Sequence, residues 1–349
     1  MPLKIIAWPA FKNKKQNPYN WLLYTNIEKN NVKVDDFTIY NGIFKKYNIF
    51  HIHWPDTILN NSKNIIIVRV KALVIFTLIK LMKARGTKIV WTVHNLKTHE
   101  EYFNKFEKKY WQRFLMLIDG TINLTESGYN EMLRQYDFHF SKKNAIVPHG
   151  HYIDVYENNI SKYSAKDILG IPRDSQVITF IGQIREYKNV TKLIEIYQKI
   201  HQENIFLIIA GKPKNSMLLE EILKVSNNND KIKLFLDFIP DQDMQLYLNS
   251  SDIIVLPYKD ILNSGSALLS LSFGKPILVP NKGALRELKK DIGEEWVLTY
   301  EGELTSQLLV QALKEVEKRF NYTVDLSSLD WDRLADQTIK FYKDLLLDK

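Results

Sequence analysis

Short apolar runs alternate with longer amphipathic segments from one end of the chain to the other. The short runs suit strands buried on both faces, and the amphipathic segments between them suit helices that cover a sheet. Together they predict an α/β protein built on parallel sheets. In the first half the predicted strands are 3–7, 37–39, 49–53, 89–93, 121–124 and 145–147, separated by helical patterns at 19–29, 65–83, 102–117 and 127–136. After Pro148 the polar stretch HGHYIDVYENNISKYSAKD lacks core periodicity and is the expected linker. A second α/β unit follows, with strands at 177–181, 206–210, 232–236, 253–256 and 276–279.

Length agrees with this division, because 349 residues exceed one ordinary hydrophobic core. With 45% hydrophobic and 25% charged residues the chain has a folded protein's composition. It has no cysteine, which excludes disulfides, thiolate catalysis and sulfur-ligated zinc. The start, MPLKIIAWPAFKNKKQNPYN, does not read as a signal peptide, so a cytoplasmic location is the expectation.

Charge is divided unevenly. Residues 1–160 hold 23 Lys and Arg against 13 Asp and Glu, whereas residues 161–349 hold 25 against 27. A basic first half attracts nucleic acid, an anionic membrane surface or a phosphate-bearing acceptor, and it also fits plain lysine-rich surface. Nucleic acid is not expected as a partner, since no recognition helix, zinc module or aromatic sheet motif is visible. The segment 65–86 is the most hydrophobic, but Arg69, Lys71 and Lys80 interrupt it before a membrane-spanning length. It is expected to be buried against the first sheet, or else to present a basic amphipathic face to the cytoplasmic membrane leaflet.

Ligands of open parallel sheets bind beyond the carboxyl ends of the strands. In the second unit those ends carry Gly182, Gln183, Arg185 and Lys188, then Gly211 and Lys212, then Phe238 and Ile239, then Tyr258. Glycine permits close backbone approach, and the cations suit a departing diphosphate. Ser264, Gly265 and Ser266 open an apolar helix that Gly274 and Pro276 end, a ready anion site or a plain helix cap.

The runs GQIREYKNVTKLI, AGK and FIPDQDMQLYLNSSDIIVLPYKDILNSGSALLSLSFGKPILVPNKGALREL resemble the donor-binding domain of GT-B glycosyltransferases of bacterial polysaccharide and glycolipid assembly, the glycosyltransferase family 4-like group. NPYNWLLY, HIHWPD and WTVHNLKTHE resemble the acceptor-side motifs of its exopolysaccharide β-1,4-mannosyltransferases, and WDRLADQTIKFYKDLL is similar to that fold's terminal helix, which crosses back to the N-terminal domain. The resemblance implies two Rossmann-like domains facing a central cleft, with an acceptor domain at 1–155, a nucleotide-sugar domain at 165–328 and a crossing helix at 329–349. It implies a nucleotide diphosphate sugar (GDP-mannose or a UDP-sugar) as donor substrate, a saccharide or lipid-linked saccharide as acceptor, and no cofactor. It adds Glu287 to the donor residues above, and assigns the acceptor to Asn17, Tyr19, Asn20, Trp54, Asn95 and His99.

This sequence departs from the pattern at two points. A first arginine of those enzymes falls on Gln183, so Arg185 with Lys188 is expected to take the phosphate role. Many retaining members carry two glutamates where Ile261 and Leu269 stand, so a single inverting displacement is expected here, with a retaining reaction as the alternative. Inversion requires a general base on the first domain. Asp56, in a Trp54-Pro55 loop, is the first candidate and His94 the second, with His53 and Glu100 also at strand ends. His51 and His53 share one face of a strand without a third metal ligand at helpful spacing, so no metal is expected. Asp241-Gln242-Asp243 matches an Asp-x-Asp metal motif by letter, but capping of the following helix accounts for it better. A nucleotide-sugar epimerase is the competing enzyme class.

Overall fold

The computed structural model describes residues 2–15, 17–60, 62–96, 104–136, 142–259, 261–318 and 323–347. The chain divides into two compact units, one of Met1–Gly150 with Leu329–Lys349 and one of His151–Ser328. Each contains a six-stranded, wholly parallel sheet.

In the first unit the strands are β1 (Lys4–Trp8), β2 (Lys33–Asp36), β3 (Ile49–Ile52), β4 (Lys88–Val93), β5 (Gly120–Asn123) and β6 (Lys143–Ile146). The helices are α1 (Tyr19–Glu28), α2 (Ile39–Phe44), α3 (Thr57–Asn60), α4 (Ile65–Ala84), α5 (Asn104–Leu117) and α6 (Glu126–Tyr136). The order β2-β1-β3-β4-β5-β6 reverses direction between β1 and β3, which opens a crevice at their carboxyl ends. Ile5, Ile6, Phe50, Ile52, Ile89 and Trp91 fill the core. The second strand differs from expectation: it is Lys33–Asp36, and Ile39 already begins α2, with Thr38 capping the Asn41 N–H at 3.0 Å.

The second unit has α7 (Lys162–Ile168), β7 (Gln176–Ile181), α8 (Val190–Tyr197), β8 (Ile205–Ala210), α9 (Ser216–Ser226), β9 (Ile232–Phe235), α10 (Met244–Ser250), β10 (Ile253–Val255), α11 (Gly265–Ser272), β11 (Ile277–Pro280), α12 (Gly283–Ile292), β12 (Val297–Tyr300) and α13 (Ser306–Glu317). Its order β12-β11-β10-β7-β8-β9 reverses between β7 and β10. Sequence reading did not include β12. The polar stretch expected to be a linker is tied into this unit: the Tyr152 N–H donates to Ser272 Oγ, the Asn159 and Ile160 N–H groups donate to Gln245 Oε1, and α7 packs on α10. The last helix, α14 (Trp331–Leu347), packs on α1 in the first unit.

No helix among the described residues is long and apolar enough to cross a membrane.

Candidate functional site

In the second unit the candidate donor residues gather at the reversal between β7 and β10. Gly182 leaves β7 at φ +119°, and a Cβ there would meet Ser266 Oγ at 2.5 Å and Lys188 Nζ at 3.5 Å. Gly211 leaves β8 at φ +146°, where a Cβ would sit 2.1 Å from the Gly182 carbonyl oxygen. Neither position accepts a side chain, so backbone, hydroxyl and ammonium converge around one small space. Ile184 forms a bridge with Pro213 and fixes the loop after β7 against the loop after β8.

Lys188 lies above the rings of Tyr258 and Phe180, at 5.5 and 6.0 Å from their centroids. Burial, with the Arg185 charge as the smaller cause, lowers its pKa to about 8. An ammonium held in such a place gains more from an incoming anion than an exposed one does. Arg185 is steadied by Gln183, whose Oε1 accepts from Nε at 3.2 Å and from Nη2 at 2.9 Å. Ser264 caps α11 by accepting the Ala267 N–H at 3.1 Å, and the hydroxyl of buried Tyr258 bonds to both Ser264 and Ser266. Cap and anion site are therefore compatible: the hydroxyls are fixed, and the first turn of α11 supplies the positive end of its dipole.

The remaining donor candidates are dispersed. Lys212 is exposed and 3.7 Å from Asp237, Phe238 is 66% exposed, Ile239 is buried, and Glu287 is half-buried on α12. Asp241 and Asp243 stand in a 3-10 turn before α10, and neither makes the side-chain cap expected of it.

In the first unit the carboxyl ends of β3, β4 and β6 carry His53, His94 and His149. His51 and His53 alternate around Ile52 and point to the same side, their rings 4.3 Å apart. Thr92 Oγ1 bonds His51 Nε2 at 2.7 Å, and the hydroxyls of Tyr24 and Tyr342 bond His51 Nδ1 at 2.8 and 2.6 Å. Tyr24 also reaches His53 Nε2 at 2.6 Å, and His53 Nδ1 meets His94 Nε2 at 3.0 Å. A continuous polar chain thus runs from Thr92 in the core to His94, which is half-buried at the edge.

Burial dominates the electrostatics here. It lowers His51 to a pKa of about 3 and His149 to about 4, and with neighbouring histidines it lowers His53 and His94 well below the ordinary 6.5. The rings are neutral at pH 7, and the Tyr24 and Tyr342 phenols, raised by burial, keep their protons. His51 is therefore a core residue, bonded to phenols and a hydroxyl.

Asp56 is only 4% exposed. Burial, and secondarily the Glu107 charge, raises it to about 6, and Asn60 Nδ2 donates to it at 3.4 Å. Trp54 stacks on His94, with centroids 4.5 Å apart and planes 20° apart, so one indole face is already covered. Tyr19 and Asn20, expected at the acceptor, are buried instead. Tyr19 forms the hub of a cage with His53, His94, His149 and Trp331, and Asn20 donates to the Pro9 carbonyl at 2.6 Å. Tyr19 thus packs against the histidines, and Asn20 ties α1 to the loop after β1. Asn17 caps the Tyr19 N–H at 3.0 Å, and Asn95 is half-buried beside His94. His99 and Glu100 lie outside the described residues.

Sequence reasoning missed Tyr24, Thr92, His149 and Tyr342. His149 had a legible signal, because it follows β6 as His53 follows β3. Tyr342 had none, being 291 residues from the histidine it bonds.

Residues 161–322 match the family described as Glycosyl transferases group 1. Over 345 residues, 96% of this chain and 90% of the relative, the sequence is 26% identical to a GDP-mannose:glycolipid 4-beta-D-mannosyltransferase of Xanthomonas campestris pv. campestris. Among solved structures, sucrose-phosphate synthase from Thermosynechococcus elongatus superposes with a TM-score of 0.71 at 13% identity, covering 99% of this chain and 100% of that one. Anabaena HepE in complex with UDP-glucose superposes with a TM-score of 0.60 at 13% identity, covering 98% of each chain. At these identities the structural likeness is one of fold.

Proposed function

We propose that this chain, a glycosyltransferase of the GT-B type, moves mannose from GDP-mannose to a saccharide or lipid-linked saccharide by a metal-independent, inverting displacement. The choice of donor is supported by similarity over nearly the whole length to an enzyme named for GDP-mannose and a glycolipid. The chemistry is carried by one observation: Lys188, half-buried and lowered to a pKa of about 8, and Ser266 both border Gly182 at the sheet's reversal point. As the sugar–oxygen bond breaks, negative charge grows on the diphosphate. Lys188, Arg185 and the first turn of α11 meet that charge, the role a divalent metal fills in other transferases. No cofactor and no nucleic acid enters the reading.

His94 is the base this geometry favours. An inverting attack needs a group that takes the acceptor hydroxyl's proton as oxygen bonds to the anomeric carbon. With His94 Nε2–H donating to His53 Nδ1, and His53 Nε2–H to Tyr24, the Nδ1 of His94 is the basic nitrogen of its ring. The buried chain then holds tautomer and orientation, as a second group orients many catalytic histidines. Asp56 is the second reading, supported by its pKa of about 6, a value suited to a base at neutral pH. Against it stands its burial. The basic surplus of residues 1–160 suits an acceptor presented at an anionic membrane surface, and we place the enzyme in the cytoplasm at that membrane's inner face.

The test is a donor screen with GDP-mannose, UDP-glucose and dTDP-glucose in EDTA, with the product anomer read by NMR. A β-linked mannoside formed without metal is the expected result. Transfer only from a uridine donor overturns the donor, a retained anomer overturns the displacement, loss on chelation with rescue by Mn²⁺ overturns the metal-free chemistry, and turnover of donor without acceptor points to an epimerase.

A further inference from the structure

The helix α4 buries one face and leaves the other apolar. Val68, Ala72, Ile75, Ile79 and Met82 point into the first unit. On the opposite side Ile66 is 66%, Val70 55% and Leu73 65% exposed, with Val74 and Leu81 also exposed. At about 100° per residue these five fall on one arc of the helix. Arg69 and Lys80 lie along one margin of that arc and Lys71 along the other, all exposed, and Arg69 also sits over the Phe106 ring. The adjoining α2 extends the surface. Its Gly42 lies against Leu78 of α4, while Tyr40 and Phe44, 66% and 70% exposed, pair ring to ring at 4.9 Å. Lys45 and Lys46 follow directly.

Charge decides what covers this face. Between Asp36 and Glu100 the sequence has ten Lys and Arg and a single acid, Asp56, which is buried. A face between copies of the chain would bring these cations against one another, whereas an anionic bilayer meets them with opposite charge. An apolar stripe edged by long cationic side chains, with an exposed tyrosine and phenylalanine beside it, is the arrangement of a helix lying in the headgroup plane: the rings and aliphatic groups enter the acyl boundary and the cations stay at the phosphates.

We infer that the exposed faces of α2 and α4 form a docking surface for an anionic lipid bilayer. The inference deepens the membrane reading above by naming the residues that make contact. The topology gives it a purpose. Because α4 connects the parallel strands β3 and β4, its first turns, with Ile66 and Val70, lie at the edge of the sheet that carries His53 and His94. A lipid-linked acceptor anchored in the bilayer would be presented at that edge.

The experiment is flotation of the full chain with phosphatidylcholine vesicles, with and without one-third phosphatidylglycerol, in the absence of donor and acceptor. Vesicle binding is thus read apart from catalysis, and a wrong donor or acceptor leaves it intact. Wild type should float with anionic vesicles only, and less so as salt rises. Val70→Glu with Leu73→Glu should reduce the bound fraction at least tenfold without lowering the melting temperature, since both positions are exposed. Lys71→Gln and Lys80→Gln, which keep the stripe intact, should each weaken binding about fivefold. The inference is overturned if wild type does not float, floats equally with neutral vesicles, or is unaffected by both sets of substitutions. Self-association that Leu73→Glu abolishes, without flotation, would assign the face to a second copy instead.

Discussion

The carboxyl edges of the two sheets share an architecture and differ in chemistry. At the β7/β10 edge the groups are glycine backbone, two serine hydroxyls and the cations Arg185 and Lys188, with the glycines at positive φ. At the β3/β4 edge they are four histidines and several phenols and indoles, packed so closely that the histidines are neutral at pH 7. One edge is suited to hold negative charge and the other to move a proton. A reaction that expels a diphosphate while deprotonating a hydroxyl needs both, and its two demands conflict in one place, because a cation beside a base lowers that base's affinity for protons. In the proposal above the two demands fall on different units.

The largest effect that bears on this division is expected at His94. His94→Gln should lower kcat by roughly a hundred to ten thousandfold while leaving nucleotide affinity unchanged. Asp56→Asn is the control, and if it alone abolishes turnover, the base is the carboxylate. Next comes Lys188→Ala, which should cost about 3 kcal/mol, roughly a hundredfold, in kcat/KM through lost charge stabilisation. Arg185→Ala should act in the same direction.

The pH profile sharpens both assignments. Lys188 is charged below its pKa of about 8 and neutral above it, so kcat/KM should fall as pH rises through 8. Asp56 is ionised above about 6, so if it is the base kcat/KM falls as pH drops through 6. His94 is held well below 6.5, which moves the acid limb lower if histidine is the base. The smallest effect is expected from Tyr342→Phe, which removes one hydroxyl from His51. It should cost about 1 kcal/mol of stability and change kcat far less than His94→Gln does.

The two edges also differ in how legible they are in the sequence. The donor side is local: Gly182 to Lys188 is a single loop and Ser264 to Ser266 a single helix start, so motif and site coincide. The α/β class and the two-unit GT-B fold followed from alternating apolar runs and from these motifs. The histidine network is assembled over long separations, His53 with His94 across 41 residues and His51 with Tyr342 across 291, and only the His51/His53 alternation and the strand-end positions of His94 and His149 announce it. Edge strands were the other blind spot. KVDD in β2 pairs on one side only and buries Val34 alone, so it needs less apolar sequence than a central strand, and neighbouring Phe37–Ile39 is the more apolar run; VLTY in β12 is also an edge strand but is largely buried. Exposure, too, escaped sequence reading: Tyr19 and Asn20 sit in an acceptor-like motif but face inward.

The central claim is that charge stabilisation and proton acceptance reside on different units. Calorimetric titration of wild type, Lys188→Ala and His94→Gln with the nucleoside diphosphate that binds wild type best tests it directly. The account predicts binding weakened about tenfold or more in Lys188→Ala and unchanged in His94→Gln, although the latter has lost turnover. Nucleotide affinity that survives Lys188→Ala intact, or that falls as far in His94→Gln, would contradict it.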